Sequence, residues 1–157
     1  MILSAEYMFA ILLSAMLLLA VAVVIWQSAT EQAKAPKIDM KLLETRIVKK
    51  STYVYLELTL QSHSTSRICI NFIELQDLSA GVTVLFGDKD VGEFSDLPIC
   101  IDPTATVTIG AYHQVSSGFS VGSKVLIKIH YSVNTPSTTY DPNNPQTMLF
   151  FSQVVAS

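Results

Sequence analysis

Along the first 26 positions hydrophobic residues hardly stop, whereas beyond residue 36 they alternate with polar ones. In the opening stretch 23 of 26 residues are apolar, and from Tyr7 to Trp26 no side chain is charged and Ser14 alone is polar. Twenty residues at the helical rise span about 30 Å, the thickness of a bilayer's hydrocarbon core. Leu and Ala favour helix, and no Pro or Gly intervenes before Pro36. The predicted helix runs from residue 2 to about residue 35, roughly 50 Å. Its last turns, the polar residues 27–34, therefore stand beyond a single span. Trp26 falls at the apolar–polar boundary, where an indole suits a membrane interface.

Residues 33–37 contain the first proline and predict a short hinge. Strand periods follow. Over residues 52–61, Val54, Leu56, Leu58 and Leu60 alternate with Tyr53, Tyr55, Glu57 and Thr59. Residues 124–133 set Val125, Ile127, Ile129 and Tyr131 against Lys124, Lys128 and His130. Further strands are predicted at 38–48, 67–75, 82–86, 99–101, 105–111 and 148–155. Turn chemistry separates them at Gly87-Asp88, at Gly118, and at Asp141-Pro142-Asn143-Asn144-Pro145. The pattern predicts an α+β chain. A long hydrophobic helix, residues 1–35, precedes an antiparallel, Ig-like β-sandwich of seven or eight strands over residues 36–157. One face of each sheet is expected to be exposed and hydroxyl-rich, and the Thr/Pro/Asn loop 135–147 to project into solvent.

Composition sharpens this division. The 157 residues carry a formal charge of −3, and Glu6 is the sole charge among the first 26. Residues 31–157 hold the other 22 charges, a normal density for a soluble domain. Such a balance excludes a disordered chain, a polytopic membrane protein and a strongly basic nucleic-acid binder. No Lys or Arg precedes the apolar run, while Lys34, Lys37, Lys41, Arg46, Lys49 and Lys50 follow it. That flank and the length of the run argue against a cleaved secretory signal. Read literally, the same flanks would hold an ordinary anchor with its domain in the cytoplasm. A basic leader removed during maturation resolves the conflict. Glu6 points the same way, because an isolated carboxylate in lipid is costly and needs a partner such as an α-amino group.

Ser4-Ala5-Glu6-Tyr7 followed by an unbroken apolar helix resembles the start of a mature type IV pilin, especially archaeal pilins with a Ser-x-Glu-Tyr/Phe signature. The likeness covers roughly the first 30 residues. At the head of the signature stands Ile2, where those pilins often have Gln, and the helix lacks the proline that bends many bacterial ones. The resemblance implies an extracellular adhesion filament, a homopolymer of identical subunits whose helices leave the membrane and bundle as its core. It also implies a prepilin peptidase and an assembly ATPase and platform as biogenesis partners. The expected assembly residues are Ser4, Glu6 and Tyr7, the small residues Ala10, Ser14 and Ala22 that permit close helix approach, and Trp26. An archaellum filament subunit and a non-polymerising single-pass binding protein are the alternatives.

Elsewhere the chemistry is sparse. Cys69 and Cys100 are the only cysteines, each flanked by isoleucines. They predict either one disulfide or two buried thiols. Asp88, Asp90, Glu93 and Asp96 around Gly87 and Gly92 offer a fragment of a Ca²⁺ loop without its terminal bidentate Glu, and predict a solvated acidic loop. His63, His113 and His130 are too scattered to complete a copper site with either cysteine. No Ser/His/Asp arrangement, catalytic carboxylate pair or phosphate-cradling glycine loop stands out. The serines around Gly110 form no nucleophile motif. Neither an enzyme, a metal, a cofactor nor nucleic acid is expected.

Overall fold

The computed structural model describes residues 4–34, with side chains through Trp26, and residues 37–157. The expected maturation site near Met1 and Ile2, and Ala35 and Pro36 of the expected hinge, lie outside the described residues. The chain divides into two units, Met1–Pro36 and Lys37–Ser157. In the first, the uninterrupted Leu/Ala/Val run forms a single helix, α1, Ala5–Lys34.

Nine strands follow among the described residues: β1 Met40–Lys50, β2 Tyr53–Ser62, β3 Ile68–Asp77, β4 Thr83–Phe86, β5 Glu93–Ser95, β6 Ile99–Ile101, β7 Thr106–Gln114, β8 Lys124–Val133 and β9 Thr147–Val155. They pair in the order β4-β3-β8-β9-β1-β2-β7-β5, with β6 on β3. β9 links the two sheets. Thr147–Gln153 runs antiparallel to β8, after which Val154 and Val155 lie parallel to Ile47 and Val48 of β1. At the far end of the path β4 comes back against β5 and β7, so the sandwich curls into a barrel-like form. The antiparallel expectation is corrected at one place. The β1–β9 pair is parallel, because a terminal strand crossing between the sheets meets β1 in the same direction.

Period-two patterning decides what goes inside. Val54, Leu56, Leu58 and Leu60 of β2, and Val125, Ile127 and Ile129 of β8, are buried with Ile68, Ile73, Leu75, Phe86 and Phe119. β3 departs from the one-face rule, since residues 68–73 are all buried. A bulge between Ile70 and Phe72 interrupts its pairing with β8, and Asn71 falls in it. Asn71 Nδ2 donates to Ser132 Oγ at 3.0 Å, and Asn71 Oδ1 accepts from Ser137 N at 2.9 Å. Segment 135–147 is therefore fastened across β3 at Ser137, while most of its residues face solvent as expected. Polar side chains on β3 and β8 need partners once buried, and this segment supplies them.

Two local devices hold the ends of β3 and β4. Asp77, 1% exposed, accepts backbone N–H bonds from Ser79 at 2.9 Å, Ala80 at 3.1 Å and Phe119 at 2.6 Å. Burial alone would raise its pKa, but those three donors outweigh it and hold the carboxyl below its ordinary value. Gly87, at φ 106°, closes the turn after β4, where a Cβ would come within 2.6 Å of the Asn71 carbonyl oxygen.

Cys69 and Cys100 sit directly opposite in the β3–β6 register and are joined as a disulfide. The bond closes a loop across 31 positions and ties the short β6 to the centre of its sheet. Replacing both cysteines with serine should lower unfolding free energy by about 3–4 kcal/mol. Urea unfolding of the detergent-solubilised chain, followed by tyrosine fluorescence, checks this. An unchanged midpoint would show that the bridge adds nothing.

Candidate functional site

The helix expected to carry assembly begins at a capped end. Tyr7 N donates to Ser4 O at 3.0 Å and to Ser4 Oγ at 3.3 Å, and Met8 N donates to Ser4 O at 3.2 Å. Ser4 thus satisfies a first-turn donor that apolar surroundings would leave without a partner. Glu6 lies in that first turn, where the positive end of the helix dipole favours a carboxylate. Glu6, Ala10 and Ser14 recur every four residues and so share one slowly winding face. Ser14 Oγ donates to Ala10 O at 3.0 Å, which closes its hydroxyl within the helix. Ala22 is rotated by about 120° from Ala10, so the expected small residues do not form a single stripe.

Bulky residues fill the rest of the circumference. Tyr7, Phe9, Leu12, Leu18, Ile25 and Trp26 are each more than half exposed, Trp26 at 74%. Ala5–Trp26, 22 residues, is long and apolar enough to cross a membrane. A helix apolar on every side is suited to lipid or to a bundle of other helices, not to water.

The remaining predicted residues take structural positions. Glu93 accepts backbone bonds from Gly87 and Asp90, the latter at 3.1 Å, and Asp96 Oδ2 accepts from Gly110 N at 2.9 Å. The acidic segment is thus partly a strand, β5, with Glu93 fastening the turn after β4 and Asp96 bonded to β7. With Cys69 and Cys100 bonded to each other, neither offers a thiolate to a metal. Among the described residues no group of three His, Cys, Asp or Glu side chains could hold a metal ion. His63 is exposed, and His113 Nδ1 lies 2.7 Å from Gln114 O.

His130 has a network that its sequence context did not disclose. It is 2% exposed, and its Nε2 lies 3.0 Å from Glu74 Oε1. The Tyr140 hydroxyl donates to the same oxygen, and its ring packs edge-on against both Phe72 and His130 at 5.4 Å. Segment 135–147 is thereby fastened to both β3 and β8. Three residues so far apart in the chain carry no shared sequence signal.

No family model matches this chain, and no curated protein matches it. Among solved structures, the ASH / PapD-like domain of human CEP192 (PapD-like domain 7) overlaps with a TM-score of 0.37 at 8% identity, over 75% of this chain and 86% of that one. An overlap of that size leaves function to be argued from this chain's own residues.

Burial, the Glu74 acceptor bond and the charges of Glu74 and Asp141 push the Tyr140 phenol up to about 12. A phenol whose pKa rises on folding stabilises the fold fully below its unfolded value, near 10. That contribution is lost as pH climbs from there through about 12. Tyrosinate absorbance should therefore show one late-ionising group near pH 12, absent in Tyr140→Phe. A wild-type titration with no such late group would disprove the assignment.

Proposed function

We propose that this chain is the structural subunit of an extracellular archaeal type IV-like adhesion pilus, polymerising through α1 with an Ig-like head on the filament surface. The observation that carries the reading is the Ala5–Trp26 part of α1: apolar around its circumference, exposed, capped by Ser4 and headed by Glu6. The signature Ser4-Ala5-Glu6-Tyr7 supplies the family likeness.

On this reading the precursor sits in the membrane, a peptidase removes a basic leader, and an ATPase-driven platform passes the subunit into the growing fibre. The helix exchanges lipid for neighbouring copies of itself. Each large side chain that stays out of water retains about 1.5–3 kcal/mol of burial. The exchange is not driven by hydrophobicity, since lipid is as apolar as leucine. Packing and polar pairing must favour the bundle. Glu6 supplies the pairing, because in a bundle its carboxylate meets the α-amino group of an adjacent subunit. A plain single-pass anchor has no such use for a charge at its apolar end.

Glu6→Leu should cut the yield of sheared filaments at least about tenfold, whereas Glu6→Gln, which keeps a hydrogen-bonding end, should retain more. Electron microscopy and sedimentation of a sheared fraction read the outcome. Normal yield from Glu6→Leu would remove the carboxylate from the mechanism, and dispersed wild-type monomers without fibres would remove the filament.

Deleting residues 1–33 should leave a soluble monomer with a β-type circular dichroism spectrum and a cooperative unfolding transition. An unfolded fragment would show that the sheet domain depends on the helix.

A further inference from the structure

On the outer face of β1, β2, β7 and β5, one cross-strand row reads Val48, Tyr55, Tyr112, Phe94, each opposite the next in register. The alternate positions Ile47, Leu56 and Ala111 are buried. The Tyr55 and Tyr112 ring centroids lie 5.6 Å apart, and Tyr112 stacks on Phe94 at 5.4 Å with planes 22° apart. Tyr55, Tyr112 and Phe94 are 41%, 39% and 49% exposed, so these three rings form a platform, while Val48 at the end of the row is buried. The three rings cross roughly 10 Å, two strand spacings.

The neighbouring row is Arg46, Glu57, Gly110. Gly110 contributes no side chain, which leaves a notch beside the platform, and the Asp96 carboxylate sits at its edge. Together they border a cavity of about 600 Å³ lined by Arg46, Lys50, Tyr55, Glu57, Phe94 and Tyr112. That volume suits a small ligand. Among the described residues Arg67 and Asp102 form an ion pair, whereas Arg46, Lys50 and Glu57 line the cavity without one.

The rim selects the ligand class. Glu57 and Asp96 repel a polyanion, Arg46 and Lys50 repel a polycation, and a purely hydrocarbon partner would strip water from all four charges without return. A neutral sugar chain satisfies both parts. The C–H face of a pyranose lies on the negative face of an aromatic ring, while its hydroxyls donate to carboxylates and accept from Arg and Lys. We propose that this face binds a neutral oligosaccharide, with two or three sugar units laid along Tyr55, Tyr112 and Phe94 and hydroxyls held by Arg46 and Glu57. The site belongs to the sheet domain alone and does not rest on filament assembly.

The test uses the full chain in dodecylphosphocholine micelles, a detergent without a sugar headgroup, and saturation-transfer NMR with mannotriose, triacetylchitotriose and cellotriose as probes. At least one should show transfer and saturable binding. Tyr112→Ala should weaken it about tenfold. Gly110→Ala should weaken it too by placing a methyl in the notch, and is tolerated because that Cβ would meet Asp96 Oδ2 at an ordinary 3.5 Å. Phe151→Ala, an exposed residue on the other sheet, should change nothing. No transfer to any of the three sugars overturns the proposal, as does binding that survives both site variants. If no sugar binds and the two variants instead abolish self-association in sedimentation, the face is a contact between copies and the sugar site is refuted. Filament yield is not read in this experiment, so its failure leaves the assembly reading standing.

Discussion

A helix that is apolar around its whole circumference cannot be left in water, and that constraint governs the N-terminal unit. Ala5–Trp26 offers no polar face on which solvent could rest. Its interior backbone groups are closed by the helix itself, the Tyr7 and Met8 N–H groups meet Ser4, and the Ser14 hydroxyl returns to Ala10 O. These polar groups are thus prepared for an environment that supplies no hydrogen bonds. Glu6 is the exception, and an exception of that cost is where a function is expected.

The sheet domain answers a different constraint, that of covering two faces with short strands. Alternation in β2 and β8 was legible in the sequence because one side of each strand meets the core and the other meets polar surroundings. β3 was less so. Its outer face is covered by segment 135–147, and what covers a strand is decided by residues 60 or so positions away. Asn71 and Ser137 meet across that distance, as do Glu74 and Tyr140. A loop rich in Thr, Pro and Asn carries no local sign that it will be pinned by a buried carboxylate.

β5 was missed for a related reason. Glu93-Phe94-Ser95 has no period of its own and sits among aspartates, so its acidic character dominated the reading. It becomes a strand by pairing with β7, which brings Phe94 against Tyr112. The aromatic platform was therefore only half visible. Tyr53 and Tyr55 belonged to a clear outer face, but the partners that turn them into a surface came from β7 and β5. Along the helix, Ala10 and Ser14 fall near one another while Ala22 faces elsewhere, since a twelve-residue interval does not return to the same face.

The Cys69–Cys100 bond has a consequence for a protein under tension. A force entering at residue 37 and leaving elsewhere in the domain could draw out strand after strand as the sheets give way. The residues between the two cysteines cannot be drawn out, because the covalent bridge carries the load past them. With 31 positions enclosed, about 100 Å of extended chain is withheld from lengthening. A domain built this way yields less slack when pulled than the same sheets would without the bridge.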